Sequence, residues 1–578
     1  MGRGTALQRL AEVLGSTPVA GVCAAVAFNL LAVSLGYYRN SYDAYTHMFF
    51  ADHYRRDWLN LWERRWYGGF SVSTYPPLAH QLIAAASFLL GVEGAYVLVT
   101  VLAAVLVAYG SYRLTGVYAP GAAHWGSLIA ALMPSLGLFL HSFGQLPMVL
   151  STGMALTAAT AVYDYLLWGG WARLAVAAML TASVQHCHHL TALLFGVPLT
   201  LLLALDLALT KRVGLPALLK RLCLVASLSA AIALPPLLPY FQSLGTLTYQ
   251  AVIPHGTREN IFANLVLSVV FFWAIYSFTV CLMPNAVVVA LRRRRMAPLL
   301  AALLAYFVLG LGGTTPVPRL VFGRLWEVLT YDKFALWASV LYVPFLAVMV
   351  QHAGSFVARF YEGNAEAPAS RRARVLMTAL MLAGLASSFV VAAGAAITIG
   401  LRPREELPGW VLEDVARLLD RDADVYYITL GLNSQRMRLN MLTWAPTLDG
   451  GYNSARLNPL LAKSGVENID AAKHFPNGLS LLKSLLSRAS ALGLKYVVCA
   501  DSFYDPILLD YGFVVIKEYD VEPRTVRVWS LRAVGTAPLS DRREVFLPWS
   551  LVPLPNLALA FLLAAARGRL GVRGCEGG

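Results

Sequence analysis

Asp43 and His47 stand four residues apart, so on a helix they share one face a single turn from each other. A carboxylate in that setting can act as a base toward a hydroxyl, or hold a cation together with the imidazole. The structural alternative is an interfacial ion pair among Arg39, Asp43 and His47. A second group is His186, His188 and His189, whose neutral imidazoles can bind a divalent ion or hydrogen-bond a phosphate. Its i, i+2, i+3 spacing departs from the i, i+4 pair that a helix uses for zinc, which favours a polar helix junction. Pro254-His255-Gly256-Thr257-Arg258-Glu259-Asn260 mixes turn residues with charge and can line a cavity without announcing one. Trp444, Asp449, Gly450, Gly451, Tyr452 and Asn453 form a glycine-rich aromatic loop of a kind that stacks on sugars, though a packed surface loop has the same look. No phosphate loop, HExxH, GxSxG or dinucleotide fingerprint occurs, so nothing in the chain supports ATP-driven transport.

These residues must be positioned by elements that live in lipid. Of the 578 residues 58% are hydrophobic and only 13% charged, about half the charged share of a soluble domain. A helix crossing the ~30 Å hydrocarbon layer needs about 20 apolar residues. Charge-poor runs occur near 17–36, 94–112, 121–140, 146–163, 168–185, 189–209, 222–241, 261–291, 297–313, 335–351, 375–400 and 546–566. The first is too long for a signal peptide and is read as a retained helix. The net charge of +14 sits mostly in short loops, so it reports orientation rather than a nucleic-acid partner.

Arg113, the Lys211 to Arg221 group, the Arg292 to Arg295 run, the Arg371 to Arg374 group and the basic tail share the side of Arg3 and Arg9 only if the stretch 78–91 does not cross. The expectation is a multi-pass cell-membrane protein of about twelve transmembrane helices, both termini cytoplasmic, with 78–91 as a juxtamembrane helix on the outer face. Residues 37–93 then form a long first outer loop. Residues 401–545 read as an extracytoplasmic α/β domain: helix 409–420, strand 424–429, helix 478–492, strand 495–500, and strands near 513–519 and 524–531. Residues 546–578 supply the last crossing and a basic tail. Cys499 is the one cysteine of the domain, so no internal disulfide can staple it.

The first outer loop runs from Asp43 through Trp66-Tyr67-Gly68-Gly69 to Tyr75-Pro76-Pro77-Leu78. An Asp just after the first membrane helix, and a loop closing in Gly-Gly and Tyr-Pro-x-Leu, resemble the GT-C superfamily of integral membrane glycosyltransferases. The whole chain looks like the prokaryotic, largely archaeal, membrane proteins labelled 6-pyruvoyl-tetrahydropterin-synthase-related, a label that does not imply pterin chemistry. Leu492 to Leu531, with Gly493-Leu494-Lys495-Tyr496-Val497-Val498 and Gly512-Phe513, also resembles the outer domain of the YfhO-like branch. The resemblance implies transfer of a sugar, with inversion, from a polyprenyl-phosphate or diphosphate donor at the outer membrane face. Asp43 would be the catalytic base or help to hold a metal, and the motif carries His47 and Tyr75 to the substrate. Donor phosphate would be met by Arg319, Arg324 and Lys333, with Asp332 beside them; a guanidinium offers phosphate a bidentate fork. Snorkelling cations at a helix end are the structural counterpart.

One departure matters. Many members of the superfamily carry a second acidic residue in the second outer loop, where this chain has His141-Ser142-Phe143-Gly144-Gln145. A divalent metal is therefore left open, and His141 and Gln145 are candidates for sugar hydroxyls, with His188 and His189 for donor or metal. The acceptor is not specified by the resemblance. The rival readings are a transporter or flippase of lipid-linked saccharides, which predicts charge deep in the crossings and inverted repeats, and a non-catalytic scaffold.

Overall fold

The computed structural model describes residues 17–246, 250–361, 375, 376, 379, 383, 386, 406–537 and 542–574. The expected crossing at 375–400 falls largely outside them. Among the described residues six helices are long and apolar enough to cross a membrane: Leu78–Tyr118, Leu146–Trp168, His189–Leu209, Leu215–Ser243, Asp332–Ala353 and Leu547–Ala566. A seventh is made if the bent pair Pro120–Ala131 and Pro134–Phe143 is one span. The protein is thus a helical, polytopic membrane protein, with fewer full-length spans than the twelve expected.

The difference has local causes. Helix Val19–Ser34 has 16 residues, about 24 Å at ~1.5 Å per residue, against the ~30 Å of a bilayer core. Ala297–Gly310 has 14 residues. The run at 261–291 is broken at Ser277, whose φ of +46° ends one helix and begins another. The stretch 78–91 is joined to the next run in one 41-residue element, but Gly91 takes φ +69° and ψ 167°, so the helix breaks where the short arm was expected to end.

Leu146–Trp168 is 94% buried and Asp332–Ala353 is 89% buried, whereas Leu215–Ser243 and Leu547–Ala566 are each 33% buried. The first two are therefore enclosed by protein over nearly all of their apolar stretch, and the last two leave most of theirs exposed. Backbone proximity fastens Leu146–Trp168 in place. A Cβ on Gly153 would lie 2.7 Å from the amide nitrogen of Val107, and one on Gly110 would lie 2.5 Å from the Cβ of Leu156. Small residues at such crossings let membrane helices approach closely enough for dispersion to hold them.

Two short strands, β1 (Trp62–Glu63) and β2 (Phe70–Ser71), pair antiparallel within the long loop 37–93. After the transmembrane part comes a four-stranded sheet of β3 (Tyr426–Leu430), β4 (Leu494–Cys499), β5 (Val514–Val521) and β6 (Arg524–Ser530), in the order β3-β4-β6-β5. β3 runs parallel to β4, and the other pairs are antiparallel. Alternation along β3 sends Tyr427 into a core with Val411 and Val415 of helix Gly409–Leu419, while Ile428 and Leu430 join the core shared with helix Gly478–Leu486.

The first outer loop and the sheet segment form one body. Thr447 donates its amide to the carbonyl of Arg65 at 2.8 Å, and Trp66 Nε1 donates to Asn440 Oδ1 at 2.8 Å. Gly450 lies against the rings of Tyr67 and Trp66, where a Cβ would come within 2.8 Å of them. The glycine-rich aromatic loop at 444–453 therefore serves packing: Tyr452 donates its amide to Tyr67 and its hydroxyl to the carbonyl of Thr74.

Candidate functional site

Asp43 occupies the N-cap position of helix Ala44–Arg56 but caps nothing with its side chain. Ser41 Oγ takes the amide of Ala44 instead, at 3.1 Å. The backbone of Asp43 is pinned from the second outer loop, where the Phe143 carbonyl accepts its amide at 3.2 Å. Gly144 at φ +73° permits that approach, since a Cβ there would lie 2.9 Å from the Asp43 nitrogen. The main chain is held twice and the carboxylate is left over, with no hydrogen bond or ion pair among the described residues.

The ion pair offered as the structural alternative does not form. Arg39 turns to Glu406 at 3.3 Å and Glu93 at 3.7 Å. His47 instead shares a 3.1 Å hydrogen bond with His80. Burial pushes the His47 imidazole down to about 3, so it is neutral and lends Asp43 no charge. Burial, with a smaller contribution from the Glu467 and Asp332 carboxylates, pushes the Asp43 carboxyl up to about 7, against the opposing pull of the Lys333 ammonium. A partly exposed carboxylate titrating near neutrality is matched to general-base work.

Around it the fold gathers side chains from five further places. Lys333, at the start of helix Asp332–Tyr361, donates to Thr330 Oγ1 at 2.9 Å and interacts electrostatically with Asp43 and Asp332. Gln145 Nε2 donates to Asp332 Oδ2 at 3.0 Å, and Asp332 Oδ1 is buried without a partner among the described residues. His188 accepts the amide of Thr191 on Nδ1 at 3.2 Å, which leaves the proton of the neutral ring on Nε2. The His47 and Tyr75 rings meet edge to face at 5.8 Å. Asp43, His47, Tyr75, Gln145, His188, Asp332 and Lys333 thus form one constellation.

The remaining expected residues lie elsewhere. His141 is buried in the second outer loop, hydrogen-bonded to Asn29 at 2.8 Å. The ring of His189 lies 4.2 Å from Tyr240. Arg319 and Arg324 are exposed, on helix Val317–Phe322 and the turn after it. No bond among the described residues joins either to the Asp43 surroundings.

Five participants were not nominated as site residues from the sequence. His80 and Tyr452 complete the aromatic wall, with Tyr452 5.2 Å from Tyr75. His255 and Arg258 belong to the turn at 254–260. Burial lowers the His255 imidazole, helped by Arg258 and Lys333 and opposed by Asp332, so this turn stands beside the Lys333 end of the site. Glu467 reaches Asp43 electrostatically from the sheet segment 424 residues away along the chain. The Pro254 to Asn260 turn had a visible signal in its mixture of turn residues with charge, and Tyr452 in its glycine-rich aromatic loop. No three His, Cys, Asp or Glu side chains among the described residues stand close enough to hold a metal ion. With His47 engaged by His80 and Asp332 by Gln145, the residues present do not fit a resident divalent metal.

The architecture has known counterparts. The chain superposes on ArnT from Cupriavidus metallidurans bound to undecaprenyl phosphate with a TM-score of 0.50 and 14% identity, over 90% of this chain and 99% of that one. Its fold is GT-C-like. The apo form of ArnT gives a TM-score of 0.51 at 13% identity, over 87% and 97% of the two chains. A variant of the mycobacterial arabinofuranosyltransferase AftD gives 0.53 at 17% identity over 89% of this chain, which spans 42% of AftD. No family model and no curated protein matches the chain, so the likeness holds at the level of the GT-C fold and not of the narrower families named above.

Proposed function

We propose that this protein is a membrane glycosyltransferase that moves a sugar from a polyprenyl-phosphate or polyprenyl-diphosphate donor to an acceptor hydroxyl at the outer membrane face. The observation that carries the reading is the unpaired Asp43 carboxylate, raised to about 7 by burial, with the Lys333 ammonium beside it. Structural ion-pair networks satisfy their carboxylates; this one is kept poor in partners, which is what a base requires. The neighbours that share the fold are an arabinofuranosyltransferase and a protein captured with undecaprenyl phosphate, which supports a lipid-linked donor.

In this mechanism Asp43 takes the proton of the acceptor hydroxyl as its oxygen attacks the anomeric carbon. The bond from that carbon to the phosphate oxygen breaks, and the lipid phosphate leaves with the electron pair. Lys333 and Arg258 stabilise the departing charge in a setting of low dielectric, where a fixed cation counts for more than in water. His188 Nε2–H and Gln145 orient sugar or phosphate oxygens. Exposed Arg319 and Arg324 attract the anionic head group toward the mouth, and the isoprenoid tail stays in lipid. This orientation puts residues 401–545 outside the cytoplasm and both termini inside it, across about twelve membrane passages of which several are short or broken.

Membranes carrying the wild type or Asp43→Asn, supplied with radiolabelled polyprenyl-phosphate sugar, test the assignment. Labelled glycan should form with the wild type and be lost with the variant. Undiminished transfer by Asp43→Asn overturns the reading, as does wild-type movement of the lipid-linked saccharide across proteoliposomes with no transfer.

A further inference from the structure

A second concave site lies away from Asp43, at the carboxyl ends of the only parallel strand pair among the described residues. β3 ends at Leu430 and β4 at Cys499, and the chain leaves both through Gly431-Leu432-Asn433 and Ala500-Asp501. Ligands of α/β sheets characteristically bind in the crevice outside such strand ends. Here that crevice is a cavity of about 300 Å³, lined among others by Asn433, Asp470, Lys473, His474, Asp501 and Arg524.

The crevice is held open by unusual backbone. Asn433 takes φ +54°, the left-handed conformation that asparagine tolerates better than most residues with a side chain. Gly431 takes φ +75°, and a Cβ there would lie 2.6 Å from the Cβ of Asp501. Buried Asp470 maintains the turn: its carboxylate accepts the amides of Leu432 at 3.0 Å and Asn433 at 2.7 Å, and its carbonyl accepts that of Gly431 at 2.8 Å.

The lining chooses the ligand class. Lys473 pairs with Asp501, and Arg524 donates to the Gly431 carbonyl at 3.3 Å, so both signs of charge are present and largely balanced. Balance disfavours a bare phosphate, and the scarcity of apolar lining disfavours a lipid tail. A carboxylate, an amide, a guanidinium and an imidazole on one wall are the planar donors and acceptors that pair with vicinal hydroxyls. Phe503, 47% exposed and 5.4 Å from Lys473 Nζ, offers an apolar ring at the rim. A volume at the low end of the roughly 300–1,000 Å³ of ligand pockets suits one monosaccharide unit.

We infer that this crevice binds a saccharide unit, and that in the working enzyme it holds a sugar of the acceptor. The second half rests on the transferase reading. Glu467, which acts on Asp43, stands three positions before Asp470 in the crevice wall, so their Cα atoms are at most about 11 Å apart. An acceptor glycan could then lie with one unit in the crevice and its reacting hydroxyl toward Asp43.

The test uses the full chain in lipid nanodiscs, without donor, and measures binding of glucose, galactose, mannose and N-acetylglucosamine by saturation-transfer NMR. Saturable binding of at least one sugar is expected, and Ala471→Phe, which fills the cavity, should weaken it at least about tenfold. Lys473→Gln should do the same while Lys473→Arg retains binding, with thermal unfolding followed to confirm that each variant is folded. Asp43→Asn should bind as the wild type does, so loss of transfer and loss of crevice binding are separate results. Absence of saturable binding for all four sugars, binding indifferent to Ala471→Phe, or inorganic phosphate binding as tightly as the best sugar overturns the inference.

Discussion

Asp43 and Asp52 ride on the same helix, Ala44–Arg56, one at its N-cap and the other near its end, and the fold treats them in opposite ways. Asp52 is enclosed by arginines: Arg65 at 2.6 Å, Arg56 at 2.7 Å and Arg55 at 2.8 Å. Glu63 extends the network through Arg65 at 2.6 Å and His53 at 3.0 Å. Burial would raise the Asp52 carboxyl, but Arg65 and Arg56 outweigh it and hold it below the usual carboxylate range. Asp43 is desolvated without the arginines, and its carboxyl is displaced the other way. The network ties the first outer loop to the sheet segment, since Arg65 also donates to the Asn440 carbonyl at 3.3 Å and Arg56 to that of Met441. One carboxylate is invested in holding the loop and the other is withheld from it, and chemistry is available only to the second.

The sharpest way to break this contrast is to neutralise each carboxylate in turn. Asp43→Asn should lower sugar transfer by about 10²–10⁴-fold, the range for loss of a general base, and leave unfolding unharmed. Asp52→Asn should cost about 1.5–3 kcal/mol by removing one of the two carboxylates that neutralise buried Arg65, Glu63 remaining as the other, read as a lower melting temperature, while the folded fraction keeps transfer within about threefold. If the two variants exchange phenotypes, the division of labour is wrong.

Replacing Lys333 with Met should raise the donor KM about tenfold, as expected when one charged contact to phosphate is lost. A variant that changes stability alone would return Lys333 to a structural role.

The pH dependence comes next in size. A base near 7 must be deprotonated to act, so transfer should fall tenfold per unit below about pH 7. Stability runs the other way: a carboxyl raised in the folded state destabilises the fold increasingly as pH climbs from the ordinary Asp range to about 7. Asp52 and Glu63, both held low, stabilise above the ordinary carboxylate range and lose that contribution as the pH falls through it. Glu467→Gln removes one repulsion and should move the acid limb of the rate profile lower by a few tenths of a pH unit. A limb that does not respond to Glu467 or Asp43 would belong to another group.

Arg319→Gln with Arg324→Gln should have the smallest effect, less than about threefold in donor KM and weaker at high salt, as expected of exposed charges acting through solvent. A larger loss would bring these arginines into the site.

Much of this architecture was legible because it is written in short-range terms. The strands at 426–430, 494–499 and 524–530 follow from short runs of β-branched and aromatic residues bounded by turns, and the break at Gly91 from a glycine between two apolar runs. The count of full-length spans was less legible, because a hydropathy run does not show that Ser277 will turn the backbone or that Val19–Ser34 will end after 16 residues. Within the site, Asp43, His47 and Tyr75 could be found because they share one loop. The turn at 254–260 attracted notice only as a charged turn, Tyr452 only as part of the glycine-rich aromatic loop, and Glu467 and His80 not at all, since each reaches Asp43 through packing and not through spacing.

The sequence by itself determined that this chain lies in a membrane, that a loop with an acidic residue follows the first helix, and that an α/β sheet lies near the end of the chain. Composition and periodicity suffice for these, because hydrophobic burial and backbone hydrogen bonding are satisfied segment by segment. The tertiary structure decided which carboxylate is left without a cation. Asp43 and Asp52 are the same residue on the same helix, and what separates them is the set of side chains that distant segments bring within a few ångströms, where a desolvated charge is either paired or shifted.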